Sequence, residues 1–281
     1  AVVEERVKVA AEILGLTDSL FRKPKALTSA EKQRASIGRA VVREPKLYLF
    51  DEPLAGLDEK LRADLLNTII NLHARMNATF VYSTKNLSEA LTIGTRVVVM
   101  KDGFVQQIDT PANLYDYPAN AYVAFLIGSP TVNFIYKTKI VREGDLYKAV
   151  FAGGEFVLPE NIVSRFENIA EYADSGKEVT LGVRPEDISI FAGGALKAKA
   201  ENGTNVGNGY CECKVSPALI MTVSCDKDCA RGTEVGLEAD LSRLLVFDTE
   251  TGLTLLKRDK GYQPSGLPDA DYIPLTLEEE R

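Results

Sequence analysis

The chain has 281 residues, 45% of them apolar and 26% charged, a mix that excludes a mainly disordered polypeptide. At about 150 residues per domain this length predicts two domains. The formal charge is −7, from 33 basic and 40 acidic residues, and with no basic cluster it argues against a nucleic-acid partner.

The chain opens Ala1-Val2-Val3-Glu4-Glu5-Arg6, without the basic and then apolar pattern of a signal peptide. No apolar run nears the ~20 residues that span a bilayer. Helical spacing of Val3, Val7, Ala10, Ala11 and Leu14 predicts a first helix stopped by Gly15. Lys46 to Phe50 predicts a buried strand that ends at Asp51-Glu52-Pro53. Glu59 to Met76 carries Leu61, Leu65, Ile69, Leu72 and Met76 on one stripe and predicts an amphipathic helix. Next come a strand over Thr79–Ser83 and a short helix over Ser88–Ile93, closed by Gly94. Arg96–Lys101 and Phe104–Asp109 flank Asp102-Gly103, a two-residue hairpin signal. Short helices follow after Pro111 and after Asn120, where Tyr115, Tyr117 and Tyr122 are expected to pack between them. Beyond Gly128-Ser129-Pro130 the pattern changes to short, Gly-punctuated strands through Val235–Ala239, which predicts a small barrel or sandwich. The domains expected are therefore residues 1–128 (α/β), 129–256 (a β domain) and a polar tail over 257–281.

The run Leu47-Tyr48-Leu49-Phe50-Asp51-Glu52-Pro53-Leu54-Ala55-Gly56-Leu57-Asp58 carries the strongest chemical signal. An apolar strand delivers two adjacent carboxylates to its end, and ligands of parallel α/β sheets sit beyond the carboxyl ends of the strands. The first carboxylate suits Mg²⁺ bridging nucleotide phosphates, and the second suits orienting or deprotonating a water. The plain structural alternative is a strand that ends in an acidic loop.

Upstream lies Leu27-Thr28-Ser29-Ala30-Glu31-Lys32-Gln33-Arg34-Ala35-Ser36-Ile37-Gly38-Arg39-Ala40. Together the two runs resemble the signature and Walker B regions of ATP-binding cassette proteins, whose pattern is LSGGQ, one residue, QR, two residues and IGRA. Tyr82-Ser83-Thr84-Lys85-Asn86-Leu87-Ser88-Glu89-Ala90 is similar to that family's switch-histidine segment. Phe125 to Phe134 and Leu181-Gly182-Val183-Arg184-Pro185-Glu186-Asp187 are similar to runs of its carbohydrate-importer branch.

The resemblance implies an α/β nucleotide-binding domain of P-loop NTPase type followed by an OB-like regulatory β-barrel. It implies ATP and Mg²⁺ as cofactors, with Asp51 on the metal and Glu52 as the catalytic base. Asp58 and Lys85 would lie at the nucleotide, and Leu27, Thr28, Ser29, Ala30 and Glu31 would face the nucleotide of a second subunit. The implied partners are that second cassette subunit, identical or not, two transmembrane permease subunits and, indirectly, a solute-binding protein. The implied location is the cytoplasmic face of the cell membrane.

Departures from the family pattern set further expectations. No G-x-x-x-x-G-K-[ST] run occurs, and Gly176-Lys177 is followed by Glu178. The chain, which does not begin with Met, is therefore expected to be the C-terminal part of a nucleotide-binding domain, lacking Walker A and inactive alone. Ser29 and Ala30 stand where the family has glycines, Glu31 where it has Gln, and Lys85 where it has His. These changes predict weak phosphate contacts and slow turnover. The rival readings are a non-hydrolysing assembly or regulatory paralogue, and a sensor built on the C-terminal barrel.

Two weaker signals are read mainly as structure. Cys211, Cys213 and Val215 alternate as one face of a strand, so core packing is preferred to a Zn²⁺ site completed by Cys225 and Cys229. His73, the single histidine, lies beside Ile69 and Met76 and is expected to be structural.

Overall fold

The computed structural model describes residues 2–202, 209–225 and 230–258, and the chain divides into two units, residues 1–95 and 96–281. Cys229 and nearly all of the expected polar tail lie outside the described residues.

The first unit contains helices α1 (Val2–Ile13), α2 (Ser29–Val41), α3 (Glu59–Arg75) and α4 (Leu87–Ile93) and the parallel strands β1 (Leu47–Asp51) and β2 (Thr79–Ser83). Gly15 ends the α1 segment at φ +62°, a conformation that glycine adopts at little cost. The core joins Ala10 and Ala11 of α1, Leu14 just after it, Ile37 and Val41 of α2, and Leu65, Ile69 and Leu72 of α3 to Tyr48 and Phe50 of β1. The aromatic rings continue onto β2, with Tyr48 and Phe50 centroids 4.7 and 5.3 Å from that of Phe80. His73 meets the same Phe80 ring edge-on at 5.0 Å, a packing contact. β1 is half-buried, not buried throughout as its composition predicts. Tyr48 and Phe50 face the core, while Leu47 and Leu49 are exposed on the other face.

The second unit begins with the hairpin β3 (Val97–Lys101) and β4 (Phe104–Asp109), turned through Asp102 and Gly103 at φ +50° and +84°. Positive φ at both turn positions is the geometry that an Asp-Gly pair favours. Helices α5 (Pro111–Asp116) and α6 (Ala121–Leu126) follow, capped by Thr110 and Asn120. Then come β5 (Asn133–Glu143), β6 (Leu146–Phe151), β7 (Gly154–Val157), α7 (Glu160–Val163), α8 (Ile169–Ser175), β8 (Glu178–Val183), β9 (Ile188–Ile190), β10 (Leu196–Asn202), β11 (Tyr210–Ser216), β12 (Leu219–Ser224), β13 (Glu234–Ala239) and β14 (Leu245–Asp248).

These strands form two bodies where the composition predicts one. A five-stranded sheet runs in the order β14-β8-β5-β6-β7, and a closed five-stranded barrel runs β10-β11-β12-β9-β13. The two share one core, in which Cys211 and Cys213 are fully buried, as the strand alternation predicts. Asn133 of β5 fastens the sheet to the barrel by donating to the Thr222 carbonyl and accepting from the Thr222 N–H, both at 2.7 Å. Barrel closure needs glycine at 236, because a Cβ there would lie 2.4 Å from the Phe191 carbonyl oxygen. Among the described residues no helix is long and apolar enough to cross a membrane.

The tyrosines after the hairpin do more than pack between helices. The Tyr115 hydroxyl donates to Glu186, and the Arg184 guanidinium lies 3.9 Å over the Tyr115 ring while donating to the Tyr115 carbonyl. Strand alternation does not reveal this polar and cation–π junction.

Candidate functional site

The parallel register of β1 and β2 sets Asp51 opposite Ser83, so both side chains emerge where the two strands end together. The Ser83 hydroxyl donates to Asp51 Oδ1 at 2.6 Å. The next residue, Glu52, turns the chain with φ +40°, an unusual conformation for a residue with a side chain. Its N–H donates to the Ser83 carbonyl at 3.1 Å, which extends the strand pairing by one residue. The Lys85 ammonium lies 3.0 Å from Glu52 Oε1. Asp51 and Glu52, predicted from one motif, and Lys85, predicted from another, thus meet at one strand end.

The loop after β1 is held from two sides. The Gln33 side-chain amide of α2 donates to the Pro53 carbonyl at 2.6 Å, and Gly56 turns the chain at φ +75°. Asp58 ends this loop as the N-cap of α3, its Oδ1 accepting from the Leu61 N–H at 3.0 Å. The cap supplies one of the donors at the helix start with a partner. Beside Glu52 lies a cleft of about 290 Å³, lined by Glu52, Leu54, Arg62, Thr84, Lys85 and Glu89 among others.

The signature segment is built differently from its expected role. Thr28 is the N-cap of α2 and Glu31 completes a capping box. The Glu31 N–H donates to the Thr28 hydroxyl at 3.2 Å, and the Thr28 N–H donates to Glu31 Oε2 at 2.8 Å. The Ser19 hydroxyl donates to Glu31 Oε1 at 2.5 Å, and Arg22 lies 3.6 Å away. The Ser19 bond first, then the Thr28 bonds, hold the Glu31 carboxyl down to about 2. Glu31 therefore acts as a cap on its own helix rather than as a loose charge. Ala30 is buried, and Ser29 is exposed. Among the described residues no hydrogen bond or ion pair joins Leu27–Glu31 to Asp51, Glu52 or Lys85. The link between the two groups is Gln33 to Pro53.

Glu89, Arg62, Tyr82 and Thr84 line or support the cleft and were not among the predicted site residues. The signal for Glu89 was present as Asn86-x-x-Glu89, an N-cap followed three residues later by an acid. A buried role for an acid at that position is not legible from spacing.

The donor set at the strand end fits Mg²⁺. A carboxylate and a hydroxyl are hard oxygen ligands, and this ion is commonly held by one or two carboxylates together with substrate phosphates and water. No group of three or more His, Cys, Asp or Glu suited to a metal occurs among the described residues, so a bound ion would depend on those other oxygens.

Comparison with known proteins gives two family matches, one described as ABC transporter over residues 2–55 and one as MalK OB fold domain over residues 128–188. The oligosaccharides import ATP-binding protein MsmX of Bacillus subtilis (strain 168) is 38% identical over 259 residues, covering 89% of this chain and 68% of the relative. The uncharacterized ABC transporter ATP-binding protein YurJ of the same strain is 36% identical, covering 89% of this chain and 69% of the relative. The osmoprotective compounds uptake ATP-binding protein GgtA of Synechocystis is 42% identical over 186 residues, covering 66% of this chain and 48% of the relative.

The match over residues 2–55 corrects the expectation of a chain lacking the N-terminal part of its nucleotide-binding domain. The same match contradicts the expected truncated, degenerate subunit and the inactivity that followed from it. The chain thus carries an ABC transporter match over residues 2–55, then a MalK OB fold domain match over residues 128–188, and a closed five-stranded barrel.

Proposed function

Because this chain belongs to the ATP-binding proteins of ABC transporters, we propose that it is the nucleotide-binding, energising subunit of a carbohydrate importer. The observation that carries this reading is the meeting of Asp51, Ser83, Glu52 and Lys85 at the shared end of two parallel strands. Asp51 would hold Mg²⁺ on the nucleotide phosphates. Bound Mg²⁺ supplies charge neutralisation there. Glu52, with its backbone turned at the strand end and its carboxylate beside Lys85, would take the proton of the attacking water. Lys85 brings a positive charge to the same place, and Asp58 fixes the loop between Glu52 and α3. The α2 start, Leu27 to Glu31, faces the nucleotide held by a second subunit.

Residues 1–128 serve as the cassette portion and residues 129–256 as a regulatory domain. The likeness to MsmX, an oligosaccharides import ATP-binding protein, and to GgtA, an osmoprotective compounds uptake ATP-binding protein, supports a carbohydrate cargo carried by two permease subunits and delivered by a binding protein. In this reading the subunit works at the cytoplasmic face of the membrane. The test is Mg²⁺-dependent ATP turnover of the wild-type protein against Glu52→Gln. Loss of a general base predicts a fall of about 10²- to 10⁴-fold in kcat. Equal turnover in the two proteins would overturn the assignment of Glu52.

A further inference from the structure

Glu89 is 6% exposed, and its carboxylate is the meeting point of three elements and a loop. Oε2 accepts from the Tyr82 hydroxyl of β2 at 2.9 Å and from the Thr84 hydroxyl at 2.8 Å. Oε1 faces Arg62 Nε of α3 at 3.5 Å. Arg62 also donates from Nη2 to the Leu57 carbonyl at 3.1 Å, so the same junction reaches the loop between Pro53 and Asp58. The backbone N–H of Glu89 donates to Asn86 Oδ1 at 3.2 Å. A carboxylate withdrawn from water is tolerated when it is paired and hydrogen-bonded, and Glu89 satisfies both conditions. Packing alone does not call for it, because apolar residues often replace buried ion pairs with no loss of stability.

These attachments converge on Lys85. Thr84, just before it, is pinned to Glu89, and the Asn86 N–H, just after it, donates to the Thr84 hydroxyl at 3.0 Å. The Lys85 side chain itself is 88% exposed, and an exposed ion pair on a flexible stem holds itself weakly. Its 3.0 Å contact with Glu52 therefore depends on where the backbone at 85 is held. We propose that Glu89 is the positioning residue of this site: by clamping Thr84, Asn86 and Arg62 it sets the Lys85 backbone and so delivers the Lys85 ammonium to Glu52. The geometric part of this inference stands on its own, and its consequence for turnover rests on the nucleotide-site reading above.

Crystal structures of the wild-type, Glu89→Gln and Thr84→Val proteins test the geometry whatever the turnover. Glu89→Gln keeps the volume and removes the charge that pairs with Arg62. Thr84→Val removes the hydroxyl that donates to Glu89 and accepts from the Asn86 N–H, and serves where the first variant does not fold. The expected result is a Lys85–Glu52 separation beyond the 3.0 Å pairing distance in the variants, with β1–β2 register, α3 and α4 retained. A retained 3.0 Å pair overturns the proposal. Kinetics supply the second arm. A misplaced group of this kind predicts a loss of about ten- to a hundredfold in kcat, with the KM for ATP nearly unchanged. In a Lys85→Met background Glu89→Gln should then cost nothing more, whereas an equal loss in both backgrounds shows a purely structural role and overturns the proposal. A wild-type protein without Mg²⁺-ATP turnover refutes the nucleotide-site reading, while the crystallographic comparison still decides the role of Glu89.

Discussion

Thr28→Ala and Ser19→Ala dissect the cap on α2. Thr28→Ala removes the acceptor of the Glu31 N–H at 3.2 Å and the hydroxyl donation to Glu31 Oε2 at 3.0 Å, but leaves the backbone N–H of residue 28 bonded to the carboxylate. Loss of an N-cap side chain predicts a destabilisation of about 1 kcal/mol at neutral pH. In a unit of the size of residues 1–95 that lowers the melting temperature by roughly 4–8 °C. Ser19→Ala removes the 2.5 Å bond that contributes most to holding Glu31 at about 2. Because the folded-state value lies below the ordinary 4.5, the Glu31 contribution is fully present above pH ~4.5 and disappears as pH falls through about 2. A carbon-13 NMR titration of the Glu31 carboxyl should therefore inflect at about 2 in the wild type. It should move upward further in Ser19→Ala than in Thr28→Ala. Urea unfolding at neutral pH should show the Thr28→Ala loss. A wild-type inflection at 4.5, or a Thr28→Ala protein as stable as the wild type, would refute the capping box as the reason for Glu31 at this position.

Leu72 of α3 is fully buried in the core of residues 1–95, so Leu72→Ala should cost about 2–5 kcal/mol in urea unfolding, and a loss under ~1 kcal/mol would contradict the packing described. Gly236→Ala places a Cβ 2.4 Å from the Phe191 carbonyl oxygen, where β13 meets β9, and should destabilise the barrel by about 1–3 kcal/mol, with hydrogen exchange quickened first in β9 and β13.

Residues 1–95 were largely legible because local signals agree with their tertiary use. The stripe Leu65, Ile69 and Leu72 marks both the helix and its buried face, and Asp102-Gly103 specifies its own turn in the hairpin that follows. The strand ending at Asp51 was legible as a strand but not as a half-buried one. A continuous apolar run carries no alternation from which to tell one covered face from two. The division of the β region into a sheet and a closed barrel was not legible, since pairing partners lie far apart in sequence: β9 pairs with β12 and β13, and β14 returns to β8. In the site, Asp51, Glu52 and Lys85 were found as motif positions, and the register of β1 with β2 explains why they meet. Glu31 was read as a charge facing a phosphate because the comparison was with a family glutamine, although Thr28-x-x-Glu31 was equally a capping-box signal. The burial of Glu89 is not legible for a physical reason: whether an acid on a short helix is solvated or buried depends on Tyr82 of β2, Thr84 just after it and Arg62 of α3.

The central claim is that the shared end of β1 and β2 receives a magnesium nucleotide. Calorimetric titration of the wild-type and Asp51→Asn proteins with ATP, each with Mg²⁺ and with EDTA, tests it most directly. Mg²⁺ should strengthen nucleotide binding to the wild type, and Asp51→Asn should lose most of this strengthening. Binding that ignores Mg²⁺ in the wild type, or an undiminished Mg²⁺ effect in Asp51→Asn, would contradict it.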